Sequence, residues 1–180
     1  MVSVDDRERA ELFEQTVLPH LDSAYNLARW LAGNDHDAQD IAQEASLRAF
    51  KYFGSFRGDN PRAWLLSIVR NSFHTWLRKN RPVEKTVEIT ENILDIEDPS
   101  VSVETIHPHF ADADAVRRAI TELPVEFREI VILREMEGFS YKEIAELAEV
   151  PIGTVMSRLA RARKLLQKSL TAAFNPGDQR

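Results

Sequence analysis

Apolar residues recur along most of the chain at spacings of three and four, the period of a helix that buries one face. A first helical pattern runs from near Asp5 to Leu31, with a kink or break expected at Pro19 and Gly33 as its C-cap. A second starts after Asp35, a capping residue type, and runs to about Tyr52. Its apolar positions Ile41, Ala45, Ala49 and Phe53 fall at spacing four. Phe56 to Asn60 (FRGDN) is a turn-rich interruption. Asn60-Pro61 then offers a capping side chain followed by a proline at the first helical position. The helix it opens carries Trp64, Leu65, Ile68, Val69 and Phe73 to roughly Lys79. From residue 81 to 112 no apolar period persists, and Pro82, Pro99 and Pro108 interrupt the segment, so a linker is expected there. Helical patterning resumes from Ala113 to Thr121. It continues from Pro124 to Gly138 with Phe127, Ile130, Val131 and Arg134. Ser140 and Glu143 form a capping-box pattern for a short helix through Leu147. Val150-Pro151 breaks it, and a final helix runs from Ile152 to about Leu170. Strand-like alternation and internal repeats are lacking. The expected fold class is all-α: two small helical domains, residues 1–80 and 113–175, joined by an acidic flexible linker, residues 81–112.

Charge changes how these elements are read. The net charge of −6 argues at first against a nucleic-acid partner. Its distribution reverses that impression. Residues 1–80 hold ten Lys/Arg and eleven Asp/Glu, residues 81–112 hold two and eight, and residues 113–180 hold eleven and ten. The linker therefore carries the acidity. From Arg48 to Arg81 there are eight bases and one acid, and from Gly153 to Lys168 five bases and no acid. Screening cuts off interactions beyond roughly 10 Å, so DNA responds to such local charge more than to the total. The 180 residues contain no cysteine, which excludes disulfides and cysteine-based zinc or thiol chemistry. The acidic, polar N-terminus does not read as a signal peptide, and no apolar run is long enough for a membrane span. A cytoplasmic protein without membrane insertion is expected.

The segment from Ser140 to Leu166 has the helix-turn-helix plan: a short helix, a tight break and a longer helix. In the longer helix Val155, Leu159, Ala162, Leu166 and Leu170 share one apolar stripe. Ser157, Arg161, Lys164 and Lys168 share another face, flanked by Arg158 and Arg163. A basic face with small residues opposite an apolar stripe is what a major-groove helix needs, because arginines pair with guanine edges or phosphates and small residues allow close approach.

Leu123 to Leu166, LPVEFREIVILREMEGFSYKEIAELAEVPIGTVMSRLARARKLL, resembles the C-terminal domain of extracytoplasmic-function (ECF) sigma factors of the sigma-70 family. DAQDIAQEASLRAF (Asp37 to Phe50) and FRGDNPRAWLLSIVRN (Phe56 to Asn71) resemble its N-terminal domain. The resemblance covers nearly the whole chain outside the linker. It implies a bacterial alternative sigma factor: no enzyme and no cofactor or metal, but a factor that joins core RNA polymerase and brings it to promoter DNA. It also implies contacts to the beta-prime coiled coil and the beta flap of polymerase, and an anti-sigma factor that clamps the two domains. Asp37, Asp40, Gln43, Glu44 and Leu47 match the polymerase-binding segment; an acidic rim with apolar neighbours suits a basic partner helix. Phe56, Arg57, Asp59 and Asn60, with Gly58, match the loop that holds a flipped base of the downstream (−10) element. Phe56 also suits a core position that closes a helix end. Asn71 matches a position beside that pocket. Arg62, Arg78 and Lys79, with Arg70 and Arg81, would supply positive charge near the loop. Trp64 reads as core, whereas Trp76 suits either the core or melted DNA. On the final helix Thr154, Met156, Ser157, Arg158, Arg161 and Lys164 match the residues that read the upstream (−35) element. Three positions depart from the family pattern. Met156 stands where a base is usual, Ala160 where an aromatic is often found, and Thr75 where an acid is often found. The upstream sequence read therefore does not follow from the resemblance.

Other readings are weaker. Asp35, His36, Asp37 and Asp40 would allow a metal site, but acids at a helix start are favoured by the dipole in any case. His107 and His109 lie in a proline-broken stretch without neighbouring ligands. Nucleophile elbows, phosphate loops and metalloprotease patterns are absent. A ligand-sensing regulator would share the helix-turn-helix but would not need the FRGDN loop and the basic helix after it.

Overall fold

A computed structural model of the chain describes residues 4–80 and 113–174. The expected linker, residues 81–112, and His107 and His109 lie outside the described residues. Those that are described form two compact units and are helical in all their regular structure.

The N-terminal unit comprises α1 (Val4–Thr16), α2 (Leu21–Ala32), α3 (Asp35–Tyr52) and α4 (Pro61–Asn80). The first helical pattern does break, as Pro19 requires: a 3-10 turn, Leu18–His20, separates α1 from α2. Gly33 ends α2 in the left-handed region, at φ 78°, and its N–H donates to the Arg29 carbonyl at 3.0 Å. The cap of α3 is Asn34, not Asp35. The Asn34 side chain accepts from the Asp37 N–H at 2.9 Å, so Asp35 becomes the first helical residue. Asp35 instead accepts from Arg29 Nε at 2.7 Å and ties the end of α2 to the start of α3. Asn60 caps α4 as expected, its Oδ1 accepting from the Ala63 N–H at 2.9 Å.

Helices α2, α3 and α4 pack on one another around Leu27, Leu31, Ile41, Leu65, Leu66 and Phe73, each at most 2 % exposed. Each such side chain stabilises the unit by about 1.5–3 kcal/mol relative to exposure. The spacing-four series Ile41, Ala45, Ala49 and Phe53 is buried, and its two alanines let neighbouring helices approach closely. Helix α1 joins through the buried Phe13 ring, which meets Phe50 and Phe53 edge-on, and through Arg9, whose Nη2 donates to the Phe50 and Lys51 carbonyls at the C-terminal end of α3, each at 2.9 Å.

The C-terminal unit comprises α5 (Ala113–Glu122), α6 (Val125–Val131), α7 (Tyr141–Ala148) and α8 (Ile152–Phe174). Ser140 and Glu143 make the expected capping box at α7. Between α6 and α7 the chain departs from an ordinary helix. Ile132–Met136 is a π-turn, with the Glu137 N–H donating to the Ile132 carbonyl. Gly138 ends it at φ 72°. The turn of the helix-turn-helix is made by Glu149, which takes the left-handed conformation (φ 56°) that glycine usually supplies. The break thus begins one residue before Val150-Pro151. Ile130, Ile132, Leu133, Ile144 and Leu159 form the core of this unit.

Candidate functional site

Helix α8 keeps the division its sequence suggests. Val155, Leu159, Ala162, Leu166 and Leu170 are all buried. On the opposite side Met156 and Lys164 are exposed, while Thr154, Ser157, Arg158 and Arg161 are half-buried. Ser157 Oγ donates to the Thr154 carbonyl at 3.1 Å, so its hydroxyl proton is committed to the helix. Arg163 belongs to neither stripe. Its Nη2 donates to Glu135 Oε1 at 2.9 Å, with both side chains largely covered. Glu135 sits on the π-turn, so that irregular turn delivers the carboxylate which braces α8 against the preceding segment. The sequence offered no signal for this pair, because 28 residues separate its members. Arg134, also on the π-turn, stands 5.0 Å over the Tyr141 ring and donates to the Phe139 carbonyl at 2.9 Å, which fixes the entry to α7.

On α3, Asp40, Gln43, Glu44 and Leu47 are exposed and lie on one side of the helix. Leu47 is 63 % exposed. Asp37 is different: it is half-buried and bonds to Asn34 through both its backbone N–H and its carboxylate. These bonds hold the start of α3. Glu44 pairs with Arg48 one turn later, at 2.6 Å. Such exposed pairs are worth little and exchange readily for another cation. The face continues into Phe50, 46 % exposed, whose ring meets Phe13 edge-on at 5.2 Å. Phe50 had not stood out in the sequence, because nothing there distinguishes it from a core position of the same helix.

In the loop before α4, Phe56 is half-buried and stacks on Phe53 at 6.3 Å, and it meets Trp64 at 5.1 Å. Phe56 thus packs on its neighbours while part of its ring stays exposed. Trp64 is half-buried rather than core. Gly58 lies against the same ring: a Cβ there would stand 3.4 Å from Phe56 Cε2. Arg57 Nη1 donates to the Gly54 and Phe56 carbonyls at 2.7 and 2.9 Å, which staples the loop to itself. Asp59 is exposed, and the oxygen of Asn60 is committed to the cap. Arg62 reaches Ser23 on α2 at 3.4 Å. The basic residues do not all gather at the loop, contrary to the expectation for them. At 1.5 Å per residue, Asn71 is about 16 Å along α4 from Asn60, and Arg78 and Lys79 are about 27 Å away. Asn71, Arg78 and Lys79 are exposed, so they extend the surface as a track along α4. Trp76 is half-buried and stacks on Phe73 at 6.1 Å.

Polar faces on α3, α4 and α8 are thus the surfaces this arrangement offers to partners, and no group of three or more His, Asp or Glu among the described residues is placed to hold a metal ion. The comparisons with known proteins agree with it. Residues 16–83 match the family model for sigma-70 region 2, and residues 113–166 match that for sigma-70, region 4. The RNA polymerase sigma-H factor of Pseudomonas aeruginosa is 33% identical over 171 residues, covering 88% of this chain and 86% of the relative. The chain belongs to the ECF sigma factors of the sigma-70 family. ECF RNA polymerase sigma factor SigE of Mycolicibacterium smegmatis is 32% identical, covering 92% of this chain but 64% of that longer protein. Among solved structures, the sigma factor RpoE from Bartonella quintana, in complex with the anti-sigma factor NepR, superposes with a TM-score of 0.68. It is 31% identical, covering 88% of this chain and 96% of that one. CnrH, in complex with the cytosolic domain of CnrY, is 23% identical at a TM-score of 0.61 and shares the fold. As an alternative sigma factor the protein is not an enzyme; it directs RNA polymerase to promoters. No helix among the described residues is long and apolar enough to cross a membrane.

Proposed function

We propose that this sigma factor divides its work between its two units, with polymerase docking and downstream-element capture in the N-terminal one and upstream-element reading in α8. The observation that carries the division is the sorting of charge over exposed faces. The α3 face holds Asp40, Gln43, Glu44 and Leu47, and α8 holds five bases and no acid from Gly153 to Lys168. The α3 face suits a basic coiled coil such as that of the beta-prime subunit, with Leu47 as the apolar anchor and the carboxylates setting register. The beta flap is the expected platform for the C-terminal unit. The α8 face suits the major groove: Arg158, Arg161 and Lys164 meet phosphates or guanine edges beside Thr154, Met156 and Ser157.

In the N-terminal unit the loop Phe56–Asn60 borders the unpaired downstream element. Arg57 and Asp59 are its exposed polar groups, Phe56 and Asn60 hold its shape, and Arg62 anchors the start of α4. Asn71, Arg78 and Lys79 then follow the strand along α4. Neither DNA contact needs to be strong alone, because mounting both on one polymerase raises the effective concentration of the second. The site of action is the cytoplasm. A protein partner that masks these faces, in the manner of an anti-sigma factor, is the expected regulator. The test is to mix the full chain with core polymerase and run transcription on a genomic promoter library. Co-migration and discrete run-off products are expected. Failure to co-migrate together with no transcript from any fragment would remove this reading.

A further inference from the structure

The end of α8 that enters a groove first carries no charge. In a helix-turn-helix the N-terminal residues of the second helix meet the base edges, whereas later ones meet phosphates. From Ile152 to Ser157 this helix offers Ile, Gly, Thr, Val, Met and Ser. Val155 is buried in the core, Thr154 is half-buried, and the Ser157 hydroxyl donates to the Thr154 carbonyl. Hydrogen-bonding readout is therefore weak in the first two turns. Apolar surface takes its place: Ile152 is 50% exposed and Met156 38% exposed, one turn apart. Ala160, exposed one turn further, continues their line. Gly153 lies beside them, and a Cβ there would meet nothing within 4 Å. The fold itself does not need a glycine at that point, but its bare backbone allows close approach to a groove floor. Arg158, Arg161 and Lys164 begin where the apolar stretch ends.

The major groove presents one apolar group among its base edges, the C5-methyl of thymine. We propose that Ile152 and Met156 are specificity-determining residues which select thymine in the upstream element through that methyl group. The proposal rests on the reading of α8 as the helix that enters the upstream major groove. It also accounts for Met156 standing where the family often has a base: a cation favours guanine or phosphate, and a thioether favours a methyl.

Deoxyuridine differs from thymidine only by this methyl, which allows a direct test. The full chain is assembled with core polymerase on a promoter fragment that it transcribes, and binding is measured by competition. One fragment is unmodified, one carries deoxyuridine for thymidine throughout the upstream element, and one carries the same number of replacements outside both elements. Replacement in the upstream element is expected to weaken binding about fourfold per methyl contacted, and the outside replacements to leave it unchanged. The Ile152→Ala/Met156→Ala double variant is expected to bind thymidine and deoxyuridine fragments alike, at the level of wild type on deoxyuridine. Met156→Leu is expected to keep the discrimination. Equal wild-type affinity for the two upstream fragments would overturn the proposal, as would an upstream element without thymine on either strand. In that event Arg161→Ala separates the causes. If Arg161→Ala still weakens binding, α8 reads the element by other contacts and only the methyl proposal falls. If it does not, the reading of α8 falls as well.

Discussion

The Phe56–Asn60 loop and helix α8 are both matched to DNA by the sequence, yet they are built on opposite plans. In the loop, most of the residues that would touch a base also hold the loop together. Phe56 packs on Phe53 and Trp64, Arg57 bonds to the loop's own carbonyls, and Asn60 caps α4. In α8, holding and reading fall to different residues. The stripe Val155–Leu170 and the Arg163–Glu135 pair fix the helix, which leaves Met156, Arg161 and Lys164 available to a partner. A site on a regular helix can separate support from contact because a 3.6-residue period gives it two faces. A five-residue loop has no second face. Substitutions in the loop should therefore change stability and function together, and substitutions in α8 should change one or the other.

The sharpest break in that comparison is Leu159→Ala. Leu159 is 1% exposed, and its truncation is expected to destabilise the C-terminal unit by about 2–5 kcal/mol. All three tryptophans, Trp30, Trp64 and Trp76, lie in the N-terminal unit. Far-UV circular dichroism should show an early transition while the tryptophan fluorescence transition stays in place. Next in size is Arg161→Ala, which should weaken upstream-element binding by about 1–3 kcal/mol. The melting curve should not move, because Arg161 lies off the buried stripe; a matching loss of stability would show that support and contact are not separate in α8. Smallest is Phe56→Leu. It should cost the N-terminal unit about 1 kcal/mol and alter Trp64 emission, since the two rings are 5.1 Å apart. Unchanged stability with reduced promoter opening would mean that Phe56 serves the DNA rather than the loop.

What the sequence made legible was local. Gly33, Asn60, Gly138 and the Ser140–Glu143 box mark element ends because a cap is a short-range contact between neighbours. The stripe of α8 was equally plain, since five residues keep its period over four steps. The features that escaped depend on distant partners or on a choice between near equals. Asn34 and Asp35 are adjacent capping types, and only the backbone path decides between them. The π-turn at Ile132–Met136 reads as ordinary helix, because the extra residue in the turn leaves no mark on composition. Arg9 reaching the carbonyls at Phe50 and Lys51 is a tertiary contact between residues that look unexceptional. In the site, the loop's self-bonding and the distance of Arg78 and Lys79 from it were hidden, because charge counts do not record how far apart one long helix holds its ends.

The division of labour between the units is tested most directly by measuring core polymerase affinity and upstream-element affinity on the same full-length variants. The Asp40→Ala/Leu47→Ala variant is expected to lose polymerase binding while the free chain's affinity for an upstream duplex is unchanged. Arg161→Ala is expected to do the reverse. If either variant lowers both affinities together, with both units still folded, the two faces are not independent and the account is wrong.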